Sequence, residues 1–309
     1  MTAFPKTSKN LSRRGFLGAS ALAPAALMLQ AGEAHAAANT RAQLAAVHSG
    51  SPAHQLLYKT DEFFIAHRGA GNISPEHTAY AYAEAVRRGA LAVEISVRTT
   101  SDGQFVCMHD TNIKRTTGAS MDVRGHTLAE LRQHKVNMRK NLGEKTDLYN
   151  IPTLEEAIAA VDAVPAGGEY ASVGGKKVVL FLEAKDGPAQ AGLVKFITER
   201  GLQRRTVIKM YRDGSGGFKP TSRYLKLANS AGCATWCYFD GGDPIDKISA
   251  MARHENVDAI GVPYYEKPTG ASQGSMSEEN VRALTGLGKA VIVWEIHRRS
   301  AYEKYKALG

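Results

Sequence analysis

Cysteine is scarce in this sequence, and its scarcity excludes several classes of protein. Cys107, Cys233 and Cys237 are the only three among 309 residues, and none has the C-x-x-C spacing of a zinc or redox motif. Cys237 falls on the strand predicted at 234–238 and Cys233 directly precedes it, and in extended chain residues four apart are separated by roughly 13 Å. A disulfide needs Cα atoms within about 7 Å, so this pair cannot bridge, and we expect all three cysteines in the core.

Three longer patterns are missing as well. The apolar stretch at residues 19–29 is shorter than the roughly 20 residues of a transmembrane helix, so we expect no stable transmembrane segment. No G-x-G-x-x-G motif follows the first predicted strand, which disfavours a doubly wound dinucleotide-binding sheet. The net charge of +9 is scattered along the chain without interleaved aromatic residues, so we predict no nucleic-acid partner.

The beginning of the chain has the features of an export signal. Arg13-Arg14 precedes the apolar stretch at 19–29, and the small-residue run Ala34-His35-Ala36 provides a cleavage site. We predict a twin-arginine signal peptide at residues 1–36, the twin-arginine export machinery as a partner, and a periplasmic or secreted protein. A buried N-terminal helix or an uncleaved anchor is the alternative interpretation.

Short apolar runs alternate with helix-like segments along the rest of the chain. The predicted strands are apolar nearly throughout, as in parallel strands covered on both faces, and comprise residues 63–66, 91–97, 105–109, 178–184, 206–210, 234–238, 258–262 and 290–295. The predicted helices comprise residues 77–88, 153–161, 188–199, 222–231, 245–254 and 278–287. This alternation predicts an α/β protein whose residues 37–309 form one (β/α)8 TIM barrel. Residues 37–61 are expected to form a lead-in helix, and residues 111–150 a small insertion after strand three.

Polar side chains cluster where the predicted strands end, which is where barrel enzymes carry their active sites. They are His67, Arg68, Glu94, Ser96, His109, Glu183, Lys185, Lys209, Trp294 and His297. A charge inside an apolar strand is costly unless it is paired or bound to a metal, so Glu94, Glu183 and Lys185 indicate a site. Two imidazoles and a carboxylate in one cavity suit acid–base cleavage of a phosphate ester. The plainer alternatives are a Glu183–Lys185 ion pair and histidines that only cap or pack.

Five motifs occur in a characteristic order: His67-Arg68-Gly69, Pro75-Glu76-His77-Thr78, the run at 89–98, Met108-His109-Asp110 and Leu182-Glu183-Ala184-Lys185. Together they resemble the glycerophosphodiester phosphodiesterase family, closely over residues 63–185 and loosely as far as Trp294. The resemblance implies a phosphatidylinositol-phospholipase-like TIM barrel. It also implies a phosphoric diester hydrolase of lipid metabolism that acts on small or lipid phosphodiesters.

The resemblance further implies a role for each candidate residue. His67 and His109 would be the general acid and base, and Arg68 and Lys185 would hold the phosphate oxygens. Glu76, Glu94 and Glu183 would bind a divalent cation, calcium or magnesium. Lys209, Trp294 and His297 are candidates for binding substrate.

Three positions depart from the family pattern. Ser96 replaces an aspartate, so the expected set of metal ligands lacks one carboxylate. His77 and His297 each replace an asparagine. Lys209, at the end of the fifth strand, could partly substitute for the charge of a metal.

Three functions are therefore compared. The first is an exported phosphodiesterase that hydrolyses glycerophosphodiesters or lysophospholipid head groups. The second is a phospholipase D-like lipid hydrolase, in which Tyr264, Tyr265 and Trp294 line an apolar slot. The third is a phosphate-ester-binding barrel that has lost metal-dependent activity at Ser96.

Overall fold

The computed structural model describes residues 50–69, 72–165, 178–265 and 274–309. The predicted signal peptide at 1–36 and residues 37–49 of the predicted lead-in helix lie outside these ranges. The strands are β1 Ile65–Ala66, β2 Ala92–Thr99, β3 Phe105–Cys107, β4 Val179–Ala184, β5 Thr206–Tyr211, β6 Ala234–Tyr238, β7 Ala259–Pro263 and β8 Ala290–Trp294. The helices are α1 Pro52–Lys59, α2 Ala79–Arg87, α3 Lys114–Thr117, α4 Leu128–Leu131, α5 Arg139–Leu142, α6 Leu154–Asp162, α7 Ala189–Glu199, α8 Arg223–Ser230, α9 Ile245–Ala252, α10 Glu278–Thr285 and α11 Arg299–Lys306.

Parallel pairing joins the strands in the order β1-β2-β4-β5-β6-β7-β8, with helices alternating between them. This curled, parallel sheet confirms the prediction of an α/β, TIM-barrel-like fold. The register aligns Ser96 of β2 with Glu183 of β4, and Ala66 of β1 with Val93 of β2. One end of the sheet therefore carries the residues that follow β1 together with the polar positions of β2 and β4.

The prediction that β3 is the third parallel barrel strand is wrong. β3 pairs antiparallel with β2, with Cys107 opposite Val97 and Phe105 opposite Thr99. The physical reason is the short connection at residues 100–104, because a parallel neighbour would need a crossover of about a dozen residues. The hairpin turns the chain back along β2, and the backbone N–H of Met108 donates a hydrogen bond to the backbone carbonyl oxygen of Ser96 at 3.0 Å. His109 still reaches the site, but by a different route from the one predicted.

The two faces of the sheet form two separate apolar clusters. Outward residues of β2 such as Val93, Ile95 and Val97 pack against the surrounding helices. Inward residues such as Phe181 and Trp236 pack with Leu56 and other residues of α1. This inner cluster forms an apolar base, and the polar inward positions lie farther along the strands. As predicted, Cys107, Cys233 and Cys237 are free and buried.

The segment at residues 111–150 contains α3, α4 and α5 and has an apolar cluster of its own. Ile113, Leu131 and Ile151 pack there with Met108, which follows β3. This packing anchors the segment beside the strand that delivers His109. Among the described residues, none of the helices combines the length and the apolar character needed to cross a bilayer.

Candidate active site

Three buried charges form the floor of the site. The Nζ atom of Lys209 on β5 lies 3.0 Å from Oε1 of Glu94 on β2 and 2.9 Å from Oε2 of Glu183 on β4. The side chains of these residues are 11%, 1% and 5% exposed, respectively. Buried charges of this kind are tolerated only when they are paired and hydrogen-bonded. Lys209 therefore bridges the two glutamates across the inside of the sheet.

Three carboxylate oxygens of the floor also accept hydrogen bonds from other residues. Oε1 of Glu94 accepts from Ser96 Oγ at 3.1 Å, and Oε2 accepts from the backbone N–H of Arg68 at 3.0 Å. Oε1 of Glu183 accepts from Lys185 Nζ at 3.1 Å and from the Tyr238 hydroxyl at 2.7 Å. All four oxygens of the two glutamates thus have a partner.

These contacts keep the floor charged at neutral pH. Burial favours the neutral form of Glu94, but the surrounding positive groups, Lys209 first among them, together hold the pKa of this carboxyl well below its usual range. The pKa of Glu183 is lowered in the same way, with burial opposed first by Lys209 and then by Lys185. Burial alone would lower the pKa of Lys209, but the two carboxylates raise it. The floor therefore has two negative charges and one positive charge.

His67 is held by a tight turn that follows β1. Arg68 has a left-handed backbone with φ of 54°, and Gly69 follows with φ of 76°. A Cβ atom at Gly69 would lie 2.9 Å from Cβ of Ala81 on α2, so only glycine fits. The turn aims the Arg68 N–H at Glu94 and places the His67 Nδ1 atom 3.2 Å from Oε1 of Glu295.

His109 has a carboxylate partner of the same kind. Its Nδ1 atom lies 2.8 Å from Oδ1 of Asp110. The His109 side chain is 32% exposed and that of His67 is 35% exposed, so a ligand can reach both rings above the buried floor. Because the carboxylates bind Nδ1 in both rings, Nε2 is the nitrogen available for proton transfer.

The two imidazoles share charged neighbours. The pKa of His67 is lowered, and burial is the largest cause. The carboxylates of Glu94 and Glu295 raise this pKa, and the positive charges of Lys209 and Arg68 lower it further. Burial likewise lowers the pKa of His109, reinforced by Lys185 and Arg68 and opposed by Asp110. The positive charge of Arg68 thus lowers the pKa of both rings.

Arg115, which sequence reasoning did not select, joins Glu76 to the His109 side of the site. Its guanidinium contacts both oxygens of Glu76 at 2.8 and 2.7 Å, and its Nε atom lies 2.6 Å from Oδ2 of Asp110. Arg68 lies 3.4 Å from the same glutamate. Glu76 therefore pairs with two arginines. The sequence signal that could have found Arg115 is its place in the polar run Lys114-Arg115-Thr116-Thr117, shortly after the Met108-His109-Asp110 motif.

Trp294 and His297 lie beside these groups at the end of β8. The Trp294 ring packs edge-on against Tyr238 and Tyr265, at centroid distances of 5.9 and 5.8 Å. The His297 Nε2 atom lies 3.1 Å from Oε2 of Glu295, the carboxylate that also holds His67. Sequence reasoning missed Glu295, although it stands between two selected residues.

His77 is buried away from solvent. Its Nδ1 atom lies 2.5 Å from the Tyr82 hydroxyl, and burial lowers the pKa of His77 to about 3. We therefore regard it as a neutral packing residue.

A divalent cation does not fit the side chains as they are arranged. Of the three glutamates that the resemblance assigns to it, Glu94 and Glu183 are bridged by Lys209, and Glu76 is clamped by Arg115. Ser96 donates a hydrogen bond to Glu94 and carries no charge of its own. Within the described ranges, acidic, histidine and cysteine side chains form no group of three or more suited to a metal ion. The expected calcium or magnesium stays a prediction.

Comparison with known proteins connects this geometry to a family. The sequence profile described as "Glycerophosphoryl diester phosphodiesterase family" matches residues 67–208, the stretch that carries both histidines and the two glutamates of the floor and ends one residue before Lys209. This stretch is similar to that family, and it makes up less than half of the chain. The resemblance inferred from the ordered motifs is thereby confirmed.

Curated relatives match over shorter stretches. The glycerophosphodiester phosphodiesterase of Caldanaerobacter subterraneus subsp. tengcongensis is 31% identical over 169 residues, which cover 53% of this chain and 64% of that protein. YhdW of Bacillus subtilis is 34% identical over 131 residues, covering 42% of this chain and 48% of YhdW. The chain thus spans less than two thirds of the length of either relative.

Solved structures of family members share the fold over a longer range. A glycerophosphodiester phosphodiesterase of Thermotoga maritima superposes with a TM-score of 0.56 at 21% identity, covering 80% of this chain and 92% of that one. A phosphodiesterase of Oleispira antarctica, solved with the product sn-glycerol-3-phosphate, superposes with a TM-score of 0.60 at 20% identity, covering 83% and 92%. At this level of identity the likeness establishes the fold.

Proposed function

We propose that the protein is a phosphodiesterase that hydrolyses glycerophosphodiesters by acid–base catalysis at His67 and His109. One observation carries the proposal. Two accessible imidazoles, each held at Nδ1 by a carboxylate, share the cation Arg68 above a buried charged floor. The family match over residues 67–208 and the phosphodiesterase relatives support the same chemistry.

The surrounding charges suggest how the two histidines divide the work. After burial, the largest influences on His67 are the carboxylates Glu94 and Glu295, which favour its protonated form. After burial, the largest influences on the pKa of His109 are the positive charges of Lys185 and Arg68, which favour the neutral form of this ring. We therefore assign His109 as the general base and His67 as the general acid.

In this scheme His109 takes the proton from the attacking hydroxyl, which belongs to the neighbouring glycerol carbon or to water. The new bond forms between that oxygen and phosphorus, and the bond from phosphorus to the alcohol of the head group breaks. His67 gives its proton to the departing alkoxide. Arg68 and Lys185 hold the phosphate oxygens through charge-assisted hydrogen bonds. If a cyclic phosphate forms first, water opens it with the two histidines in exchanged roles.

Larger lipids are a second candidate substrate class, favoured by the aromatic edge-on packing of Trp294 with Tyr238 and Tyr265. Such a surface can receive an acyl chain beside the phosphate. Export through the twin-arginine pathway, with residues 1–36 as the signal, is part of the proposal, and so is a periplasmic or secreted location.

The test is the release of sn-glycerol 3-phosphate from glycerophosphocholine by the purified protein. His67→Ala and His109→Ala should each lower kcat by about 10²–10⁴-fold, the usual contribution of an acid or base. His126→Ala is the matched control, because this histidine lies on the insertion and its ring contacts the backbone oxygen of Asp122. Unchanged turnover in the His67 variant would refute the proposal. Choline release from lysophosphatidylcholine would favour the phospholipase D-like function, and binding without turnover would favour the phosphate-ester-binding barrel.

A further inference from the structure

We propose that the Lys209 ammonium occupies the place of the divalent cation, so that this site works without calcium or magnesium. The inference deepens the proposed function and rests on it. Its basis is the position of Lys209 Nζ, at 3.0 and 2.9 Å from oxygens of Glu94 and Glu183. These are two of the carboxylates that the family resemblance assigns to the metal.

The space between the two glutamates holds one cation. Calcium would need several oxygen ligands at about 2.3–2.6 Å and magnesium at about 2.0–2.1 Å. Each oxygen of Glu94 and Glu183 already accepts a hydrogen bond or contacts an ammonium group. A metal ion could bind between the two glutamates only if the Lys209 ammonium moved away. If the ammonium stayed, its positive charge would repel the metal ion strongly, because charges in this buried site are poorly screened.

The charges of the two arrangements agree. Glu76 is present in both arrangements and is left out of the count. The family pattern, with carboxylates at 94, 96 and 183 and one divalent cation, then carries a net charge of −1. Here Glu94 and Glu183 with the Lys209 ammonium also carry −1, because Ser96 is neutral. The loss of one carboxylate and the replacement of a divalent ion by a monovalent one therefore compensate each other. This balance explains Ser96 and Lys209 as one paired change.

Two aromatic rings flank Lys209 in this position. Its Nζ atom lies 5.1 Å from the centre of the Tyr238 ring and 5.4 Å from that of the Trp236 ring, within reach of cation–π attraction. The residue lies within β5, and Trp236 is its neighbour in the register with β6. A lysine fixed at this depth acts as a permanent part of the floor.

Lys209 can also do part of the electrostatic work of a metal. An ammonium has three N–H donors; Lys209 donates one to Oε1 of Glu94, and its Nζ atom also lies 2.9 Å from Oε2 of Glu183. A remaining donor can bind a phosphoryl oxygen of the substrate and stabilise the negative charge that develops there. It adds to Arg68 and Lys185, which hold the same phosphate group.

The experiment measures metal binding on the full protein without substrate. Wild-type protein is stripped with chelator and titrated with calcium chloride or magnesium chloride by calorimetry, while Tm is followed in parallel. We expect no stoichiometric binding, no rise in Tm, and less than about a twofold change in phosphodiesterase rate on chelation. The double variant Ser96→Asp/Lys209→Ser should bind one equivalent of metal and gain Tm when metal is added.

The single variant Ser96→Asp is the matched control and should take up no metal, because Lys209 stays in place. Uptake of one equivalent by the wild type would overturn the inference. So would a double variant that is folded by circular dichroism and binds no metal. Turnover that depends on added calcium would refute the inference and leave the proposed function standing. Absence of turnover under every condition would refute the proposed function, and the metal titrations would be unaffected.

Discussion

His67 and Glu295 form a contact that joins the two ends of the described sheet, with Nδ1 3.2 Å from Oε1. His67 follows β1 and Glu295 follows β8. The carboxylate fixes the ring through Nδ1 and favours its protonated form, which a general acid requires. Glu295 therefore acts as a positioning residue for His67.

Glu295→Gln should lower both the pKa of His67 and the rate. The amide keeps the size of the side chain but loses the charge that stabilises the imidazolium, so the pKa must fall. Histidine NMR titration measures this shift directly. The basic limb of the pH profile of kcat/KM should move to lower pH, and kcat should fall by about tenfold.

Glu303→Gln is the control for this change. Glu303 is an exposed glutamate on α11 that pairs with Arg299. Its substitution should leave the pKa of His67 and the pH profile unchanged. An unshifted His67 titration in Glu295→Gln would contradict the role assigned to this carboxylate.

Lys209→Met should destabilise the fold strongly. The substitution leaves Glu94 and Glu183 buried without the ammonium that bridges them, and removing one partner of a buried ion pair costs about 3–5 kcal/mol. Urea denaturation measures the change in the free energy of unfolding. Lys306→Met gives the comparison, because Lys306 and its partner Glu62 are 55% and 50% exposed, and such pairs contribute less than about 1 kcal/mol. Equal losses in both variants would contradict the buried bridge.

His77→Asn should reduce the loss of folding stability that the protein suffers as the pH falls. The pKa of His77 is about 3 in the folded protein and 6.5 in an ordinary environment. As pH falls below 6.5, the unfolded chain binds a proton that the folded protein refuses, so stability is lost between these values. The loss is about 2–3 kcal/mol by about pH 4.5.

Denaturant midpoints measured across this pH window test the point. Asparagine suits the position, because His77 has a φ of 54° and asparagine tolerates the left-handed region. The variant should lose less stability than the wild type on acidification, whatever its stability at neutral pH. Parallel curves for the two proteins would show that His77 does not hold the depressed pKa.

Arg115→Lys should lower kcat by about tenfold. The guanidinium binds Glu76 through two nitrogens and Asp110 through Nε, and a lysine cannot reproduce these contacts. Asp110 then holds His109 less firmly, so proton transfer slows more than substrate binding weakens. Steady-state kinetics should show kcat falling with KM nearly constant. A rise in KM alone would place Arg115 in substrate binding.

Much of the fold was predictable because its strands carry a strong local signal. Continuous apolar runs predicted β4, β6 and β8 nearly to the residue, since parallel strands are covered on both faces. The direction of β3 was predicted wrongly, because its apolar run looks the same in either direction. The turn at Ser101-Asp102-Gly103 before it was the informative feature and favours a hairpin.

The residues of the site were predictable from the sequence where a charged residue interrupts an apolar strand. Glu94, Glu183 and Lys209 stand out inside apolar strands, because an unpaired charge there is costly. Their mutual pairing depends on register between β2, β4 and β5, which the sequence does not contain. Glu295 follows β8 and Arg115 lies on the short helix α3; both are more exposed, and charged residues at exposed positions are common and give no such signal.

The position of a bound phosphate tests the account most directly. A crystal structure of the protein soaked with sn-glycerol 3-phosphate should show the phosphoryl group between His67 and His109. Its oxygens should lie within about 2.6–3.2 Å of both Nε2 atoms, with Arg68 and Lys185 as further donors. A phosphate bound elsewhere, or two imidazoles that face separate cavities, would contradict the account.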